Sequence, residues 1–266
     1  MSCIYYLPIF FDLFDLLKDR YTVTAFDRPG LGYTDRVPNI DTGPFSTEGD
    51  SPQAQAHMLR EAAEKIGIKD PIVAGHSYGG IVALAWAVEG LDIESQQNAS
   101  AIVSFAGVAM PWPDPLAAYY TINGSALGGG ILVPILSAVV PDSVVEKAVN
   151  DTFTPNTAPD GFVAHLGAEL VMRPDSFRAN VRQVNTLQNE VIKLAPRYPE
   201  LTIPIEILHG TDDVTVPIHI HANEIAKIVP SVHVTQLEGV GHQPHHVDVD
   251  AAIAAIDRAA GRAGLR

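Results

Sequence analysis

Residues 71–80 read Pro-Ile-Val-Ala-Gly-His-Ser-Tyr-Gly-Gly, a short apolar run that leads into a Gly-x-Ser-x-Gly motif. The apolar run predicts a buried strand, and the Ala- and Ile-rich stretch from Ser77 to Glu89 predicts a helix directly after it. A serine in such a strand-to-helix turn exposes its hydroxyl, and Gly75 and Gly79 are expected where a side chain would clash. The helix N-terminus behind the serine favours a developing oxyanion. Ser77 is therefore a candidate nucleophile, and the alternative is a glycine-rich turn with an idle serine.

Strands and helices alternate on both sides of this motif. Continuous apolar strands that alternate with helices are typical of a parallel sheet covered on both faces. We therefore predict an α/β fold with a mostly parallel sheet and helices on both of its faces. The patterns before the motif predict a helix over 10–18, a strand over 21–26 and a helix over 53–66 with Ser51 as N-cap. The patterns after it predict strands over 100–106, 203–208 and 233–237, and helices over 219–228 and 248–262.

The alternation stops in the middle of the chain. Between Pro111 and Pro199 no strand pattern occurs, and proline residues separate helical stretches over 142–150, 161–171 and 175–194. We therefore predict an α/β core formed by residues 1–110 and 200–266, with a helical insertion over 111–199.

Two further motifs follow predicted strands. One is His209-Gly210-Thr211-Asp212-Asp213, and the other is Gly239-Val240-Gly241-His242. The carboxyl ends of parallel strands share one edge of the sheet, so His242 can reach Ser77, and a carboxylate can orient the imidazole. Asp212 and Asp213 are both candidates for that carboxylate, although aspartate is also common in turns. Asp114 is the next carboxylate to consider if neither has this role.

The composition limits the partners. The 266 residues include 17 Lys and Arg against 31 Asp and Glu, which gives a formal net charge of −14. Such a surface repels phosphate backbones and anionic membranes, so we predict no nucleic-acid partner. The longest apolar run, 131–140, is about half as long as a membrane span, and the N-terminus lacks the features of a signal peptide. No membrane span is therefore predicted, and the oligomeric state is left open.

Cysteine and histidine usage bears on location and metal binding. Cys3 is the single cysteine, so no intrachain disulfide forms, which fits a reducing compartment and a cytoplasmic location. Clustered histidines favour metal binding, but no cysteine lies near them and the neighbouring carboxylates already have a role. We therefore predict neither a metal nor another cofactor. The histidines concerned are His219, His221, His242, His245 and His246.

With these motifs the chain resembles the α/β-hydrolase superfamily over nearly its whole length outside the insertion. Residues 25–32, Ala-Phe-Asp-Arg-Pro-Gly-Leu-Gly, are similar to the family's loop after its fourth strand. The family's Gly-x-x-Asp motif falls on Asp213. The resemblance implies a triad of Ser77 as nucleophile, His242 as base and Asp213 as acid. It also implies that Tyr78 donates a backbone N–H to the oxyanion hole, and that the insertion is a helical cap after the sixth family strand.

The chain departs from the family pattern at its N-terminus. Family members have three strands before the position where this chain starts, and the third ends in a His-Gly loop that gives the second oxyanion N–H. No His-Gly occurs here before Asp27. We therefore expect either a shortened reading of a longer gene or an incomplete variant.

Three functional hypotheses follow. The leading one is hydrolysis of a carboxylic ester, or a related acyl bond, of a small apolar substrate through an acyl-enzyme. A serine in place of an aspartate argues against dehalogenases and epoxide hydrolases of the same fold. The second hypothesis keeps the triad but assigns C–C bond hydrolysis, lactone opening or perhydrolysis. The third is a catalytically impaired binding protein that lacks the His-Gly oxyanion loop.

Overall fold

The computed structural model describes residues 13–92, 98–113 and 115–266, and these form a four-stranded parallel sheet with helices around it. The strands are adjacent in chain order, and every neighbouring pair is parallel. All four carboxyl ends therefore lie at one edge of the sheet. The predicted mostly parallel α/β architecture is confirmed. The strands are β1 Ile72–His76, β2 Ala101–Phe105, β3 Ile205–Gly210 and β4 Val232–Leu237.

Helices make up most of the rest of the described chain. The first is α1 Leu13–Leu17, and residues 10–12 of the predicted first helix lie outside the described residues, as does Cys3. The helix α2 begins at Pro52, and the Ser51 hydroxyl accepts a hydrogen bond from the Ala54 N–H at 3.1 Å, so the predicted N-cap is confirmed. The helix α2 ends at Lys65. The other helices near the sheet are α3 Tyr78–Gly90 and, after the insertion, α10 Ala222–Ile228, α11 Pro244–Val247 and α12 Val249–Arg262. Between β2 and β3 lie α4 Ala118–Gly124, a π-helical segment Gly128–Leu132, α5 Val133–Val139, α6 Asp142–Asp151, α7 Phe162–Leu166, α8 Ala168–Val171, α9 Pro174–Leu194 and a 3-10 segment Ala195–Glu200.

The sheet separates two apolar cores. On one face, α3 is apolar on all sides and buried, and it packs with α2 and α9. On the other face lies α12, whose small residues Ala252, Ala255 and Ala259 are fully buried. Successive β1 side chains alternate between these cores, with Ile72 in the α12 core and Val73 in the α3 core. Helices therefore cover both faces, as the sequence predicts.

The strand predicted over 21–26 does not form. Val23 and Ala25 pack against the α12 core and Phe26 packs against the α3 core, so the alternating side chains do point to opposite sides. A strand also needs a neighbour for its backbone hydrogen bonds. Among the described residues, β1 pairs only with β2, and residues 21–26 join no strand ladder. The period-two pattern predicts which side chains point to each side of the sheet, but it does not show whether a neighbouring strand is present to accept the backbone hydrogen bonds.

The described residues between β2 and β3 form helices joined by loops, and none of them forms a strand. The predicted helix over 161–171 is split into α7 and α8 at Gly167, where φ is 65°. The long helix α9 packs on both α3 and α4, and so joins the insertion to the sheet. The division into a core and a cap stays a prediction. Asp114 lies outside the described residues.

One stretch of the insertion is strongly apolar. Among the described helices, none is by itself long and apolar enough to cross a membrane; Ala118–Gly124 and Gly128–Val139 reach that length and hydropathy only as a pair bent by 83°.

Candidate active site

Ser77 lies in the turn between β1 and α3, where the sequence predicts it. Its φ of 53° and ψ of −119° are unfavourable for any residue with a side chain. Three backbone hydrogen bonds hold this conformation: the Ser77 N–H donates to the Phe105 carbonyl at 3.0 Å, and the Ser77 carbonyl accepts from Gly80 at 3.0 Å and from Val108 at 3.1 Å. Tyr78 is the first residue of α3, so its N–H has no partner within the helix.

The glycines of the motif have different roles. A Cβ on Gly75 would lie 2.1 Å from the Gly79 carbonyl oxygen, so the expectation for Gly75 is correct. A Cβ on Gly79 would meet nothing within 4 Å, so the expectation that Gly79 avoids a clash is wrong. The close approach occurs one residue later, because a Cβ on Gly80 would lie 2.6 Å from the Gly107 Cα. The start of α3 packs directly on the loop after β2, and glycine is needed at that contact.

Asp213 and His242 form a buried pair at the carboxyl edge of the sheet. The His242 Nδ1–H donates to Asp213 Oδ2 at 2.8 Å. The other oxygen, Asp213 Oδ1, accepts the backbone N–H groups of Thr215 and Val216 at 2.8 and 2.9 Å. Asp212, by contrast, is exposed and accepts a hydrogen bond from the Thr211 hydroxyl. The structure therefore brings Asp213, and not Asp212, to the histidine.

A second imidazole contacts the same carboxylate. His209 Nε2 lies 3.3 Å from Asp213 Oδ2, and it also donates to the Val216 carbonyl at 2.7 Å. Burial by itself would raise the pKa of Asp213, but the hydrogen bonds from His209 and His242 outweigh burial and hold that pKa below its usual range. Asp213 therefore stays ionised beside His242. Sequence reasoning missed this role of His209, and the signal was a polar residue at the end of a buried strand, where it needs a hydrogen-bond partner.

His76 connects the Ser77 turn to the His242 loop. Its Nε2–H donates to the backbone carbonyl of His242 at 2.8 Å, and the two rings lie 4.7 Å apart. Burial, with the neighbouring His242, lowers the pKa of His76 well below its ordinary value, so this imidazole stays neutral. In the described part of the chain, no hydrogen bond joins the Ser77 hydroxyl to the His242 ring. Catalytic hydrogen bonds are often long before substrate binds, and the Ser77–His242 step stays a prediction.

Ser77 lines a cavity of about 420 Å³. This volume lies within the range of small-molecule sites. The helical insertion supplies part of the wall, with Tyr120 from α4 and Val184 and Leu187 from α9. The loops after β2 and β3 supply most of the rest, and none of the lining residues is an Asp, Glu, Lys or Arg. The cavity is therefore suited to a small and uncharged molecule.

His221 is a polar group in the wall of this cavity. Its Nδ1 accepts the backbone N–H groups of Ala109 and Met110 at 3.3 and 3.2 Å, so the ring proton lies on Nε2. Burial lowers the pKa of His221 to about 4, which makes the ring a neutral hydrogen-bond donor at neutral pH. Sequence reasoning considered His221 only for a metal site. Among the residues described, no group of three or more His, Cys, Asp or Glu is placed to hold a metal ion.

We expect His221→Gln to flatten the pH dependence of stability. The pKa of His221 is about 4 in the folded chain, whereas an unfolded histidine ionises near pH ~6.5. Between these values the unfolded state binds more protons, so the free energy of unfolding falls as the pH falls. This residue alone should lower it by about 2 kcal/mol from pH ~7 to pH ~4.5. Denaturant titrations at both pH values measure the loss in the wild type and in the variant.

The control for this experiment is His57→Gln. His57 lies on α2 with 60% of its side chain accessible, so this variant shows the effect of the same replacement at an exposed position. An equal loss of stability in the wild type and in His221→Gln would show that His221 is not held neutral by the fold.

Comparison with known proteins bears on the family. The model of the alpha/beta hydrolase family matches residues 3–256. A protein of Mycobacterium tuberculosis (strain ATCC 25618 / H37Rv), itself uncharacterized, is 27% identical over 247 residues, which are 91% of this chain and 68% of that protein. The family model therefore covers nearly the whole chain.

Solved structures share the fold at low identity. A thermophilic esterase from Thermogutta terrifontis superposes with a TM-score of 0.72 at 17% identity, covering 98% of this chain and 89% of that one. The epoxide hydrolase CorEH superposes with a TM-score of 0.71 at 19% identity, covering 100% and 91%. An enol-lactonase from Burkholderia xenovorans LB400 gives 0.67 at 12% identity, covering 96% and 90%. From the family match, the parallel sheet and the Ser77 turn, we conclude that this chain belongs to the alpha/beta hydrolase family.

Proposed function

We propose that this family member is a serine hydrolase that cleaves a carboxylic ester, or a related acyl bond, of a small uncharged substrate. The observation that carries the proposal is the buried Asp213–His242 pair, with 2.8 Å between Oδ2 and Nδ1. This pair lies at the same edge of the sheet as Ser77, whose turn opens into an apolar cavity.

Each residue has a defined role in this reaction. His242 accepts the proton of the Ser77 hydroxyl on Nε2 while the Ser77 oxygen attacks the substrate carbonyl carbon. Asp213 fixes the proton of His242 on Nδ1 and stabilises the imidazolium that forms. The N–H of Tyr78 stabilises the negative charge on the carbonyl oxygen. His242 then protonates the leaving alcohol, and water hydrolyses the acyl-enzyme by the same route.

The cavity lining supports a neutral substrate. A carboxylate on the substrate would lose its water in a wall that offers no cationic partner, and such burial is strongly unfavourable. The Nε2–H of His221 matches an uncharged acceptor such as a carbonyl or ether oxygen. These features favour simple esters and lactones over substrates with a free acid group.

A matched pair of esters tests the proposal. Mono-p-nitrophenyl succinate and p-nitrophenyl butyrate have four-carbon acyl chains, but only the first has a free carboxylate. We expect turnover of the butyrate at a kcat/KM at least about tenfold higher than that of the succinate, since an unpaired charge is costly to bury. A fluorophosphonate should label the chain stoichiometrically.

The outcomes separate the alternatives. Preference for the succinate would contradict the neutral-substrate proposal. Labelling with turnover of a neutral lactone alone would reassign the reaction to lactone opening. The absence of both labelling and turnover would support the hypothesis of a binding protein on the hydrolase fold.

A further inference from the structure

A second cavity, of about 750 Å³, lies beside the first half of α9. It shares no lining residue with the cavity at Ser77. Four arginines line it: Arg36, Arg173, Arg178 and Arg182. The whole chain has only 17 Lys and Arg against 31 Asp and Glu, so four arginines in one cavity oppose the overall charge of the molecule.

Arg182 is fully buried in the wall of this cavity. Its Nη2 donates to the carbonyls of Gly43 and Pro44 at 3.0 and 2.8 Å. Its Nε and Nη1 are buried and have no hydrogen-bond partner. Of the acidic residues in the described ranges, none forms an ion pair with Arg182. A buried guanidinium that has neither a counter-ion nor its full set of acceptors is unfavourable, so something else should supply the negative charge.

Of the other three arginines that line the cavity, two are paired with carboxylates of the described chain and one is not. Arg36 is paired with Asp50, with 2.5 Å between Nε and Oδ2. Arg178 is paired with Asp175, whose side chain is 96% exposed and therefore screened by water. Arg173 is exposed, and its polar contact is a 3.4 Å hydrogen bond to the Gly32 carbonyl.

The carboxylates that line the cavity do not cancel this charge. Asp35 and Asp175 are the two acidic residues in the lining, and both are exposed. Burial, followed by repulsion from Arg36 and Arg178, lowers the pKa of Arg182, and the opposite effect of Asp41 and Asp175 is smaller.

We propose that this cavity binds an oxyanion group, a phosphate or a carboxylate, of a small molecule, with Arg182 at its base. The planar guanidinium donates paired hydrogen bonds that match the oxygens of either group. The hydroxyl-bearing residues Thr34, Thr42 and Ser176 also line the cavity and add donors. This inference is independent of the chemistry at Ser77, because the two cavities share no residue.

Titration of the full chain with inorganic phosphate tests the proposal. Calorimetry and thermal unfolding are followed at constant ionic strength, with chloride replaced stepwise by phosphate, and a second series uses malonate. We expect saturable binding of one of the two anions, with a rise in Tm as its concentration increases. The anion that binds more tightly identifies the group as phosphate or carboxylate.

Variants link the binding to the arginines. Arg182→Met should weaken the affinity at least about tenfold, since hydrogen bonds to charged groups are strong. Arg197→Gln is the control, because it also removes one positive charge but Arg197 pairs with Asp92 and Glu200 outside the cavity. The Arg197→Gln variant should therefore bind the anion with the affinity of the wild type.

A second variant covers the case in which Arg182→Met fails to fold. Arg173→Gln changes an exposed residue at the rim and should weaken binding several-fold while the chain stays folded. The proposal is overturned if the wild type shows no saturable response to either anion beyond that to chloride. It is also overturned if Arg173→Gln and Arg182→Met bind as tightly as the wild type.

Discussion

Ser77→Ala should abolish ester turnover and fluorophosphonate labelling while leaving the fold intact. Removal of the nucleophile of a triad lowers kcat by about 10⁴–10⁶-fold, because the other groups no longer have an attacking atom to assist. The Ser77 side chain is partly exposed, and the hydrogen bonds that hold its turn involve the backbone. The variant should therefore melt within a few degrees of the wild type. Active-site titration and kcat for p-nitrophenyl butyrate measure the effect.

A second serine serves as the control for this experiment. Ser143 is exposed on α6, and Ser143→Ala should label and turn over substrate as the wild type does. Labelling of Ser77→Ala at the wild-type rate would assign the nucleophile to another residue.

Asp213→Asn should lower turnover by about 10⁴-fold, because an amide at this position no longer fixes the proton of His242 on Nδ1. The amide also loses the negative charge that stabilises the imidazolium. Since the carboxylate accepts hydrogen bonds from Thr215, Val216 and His242, the variant should also be less stable. Single-turnover kinetics separate the chemical step from binding, and the substrate KM should change little.

Asp212→Asn is the matched control, one residue away in the same loop. The Asp212 side chain is exposed and makes no contact with His242, so its turnover should stay within about twofold of the wild type, as is usual for surface changes. A larger loss in Asp212→Asn than in Asp213→Asn would move the acid to Asp212.

The parts of this molecule that follow from local sequence pattern could be predicted. The order of strands and helices around Ser77 follows from the periodicity of apolar residues. The N-cap at Ser51 depends only on Ser51 and Ala54, which are three residues apart. The approach of a carboxylate from the 212–213 pair to His242 also followed, because loops after parallel strands meet at one edge, while the choice of Asp213 came from the family resemblance.

The parts that depend on distant partners could not be predicted. The segment over 21–26 has the side-chain pattern of a strand, but a strand also needs a neighbour, which the pattern does not encode. The bond from His76 to the His242 carbonyl joins positions 166 residues apart. Arg182 has the pattern of a polar position on an amphipathic helix, and its hydrogen bonds to Gly43 and Pro44, more than 130 residues away in sequence, are not encoded in that pattern.

At position 77, the residue that would make the fold most stable differs from the residue that the proposed activity requires. A glycine would adopt the φ of 53° without strain, while a residue with a side chain is destabilised there by about 1–3 kcal/mol. A search for the most stable sequence on this backbone would therefore select glycine at the very position that the proposed chemistry requires to be serine. Stabilising changes for this protein are therefore best sought at positions other than 77.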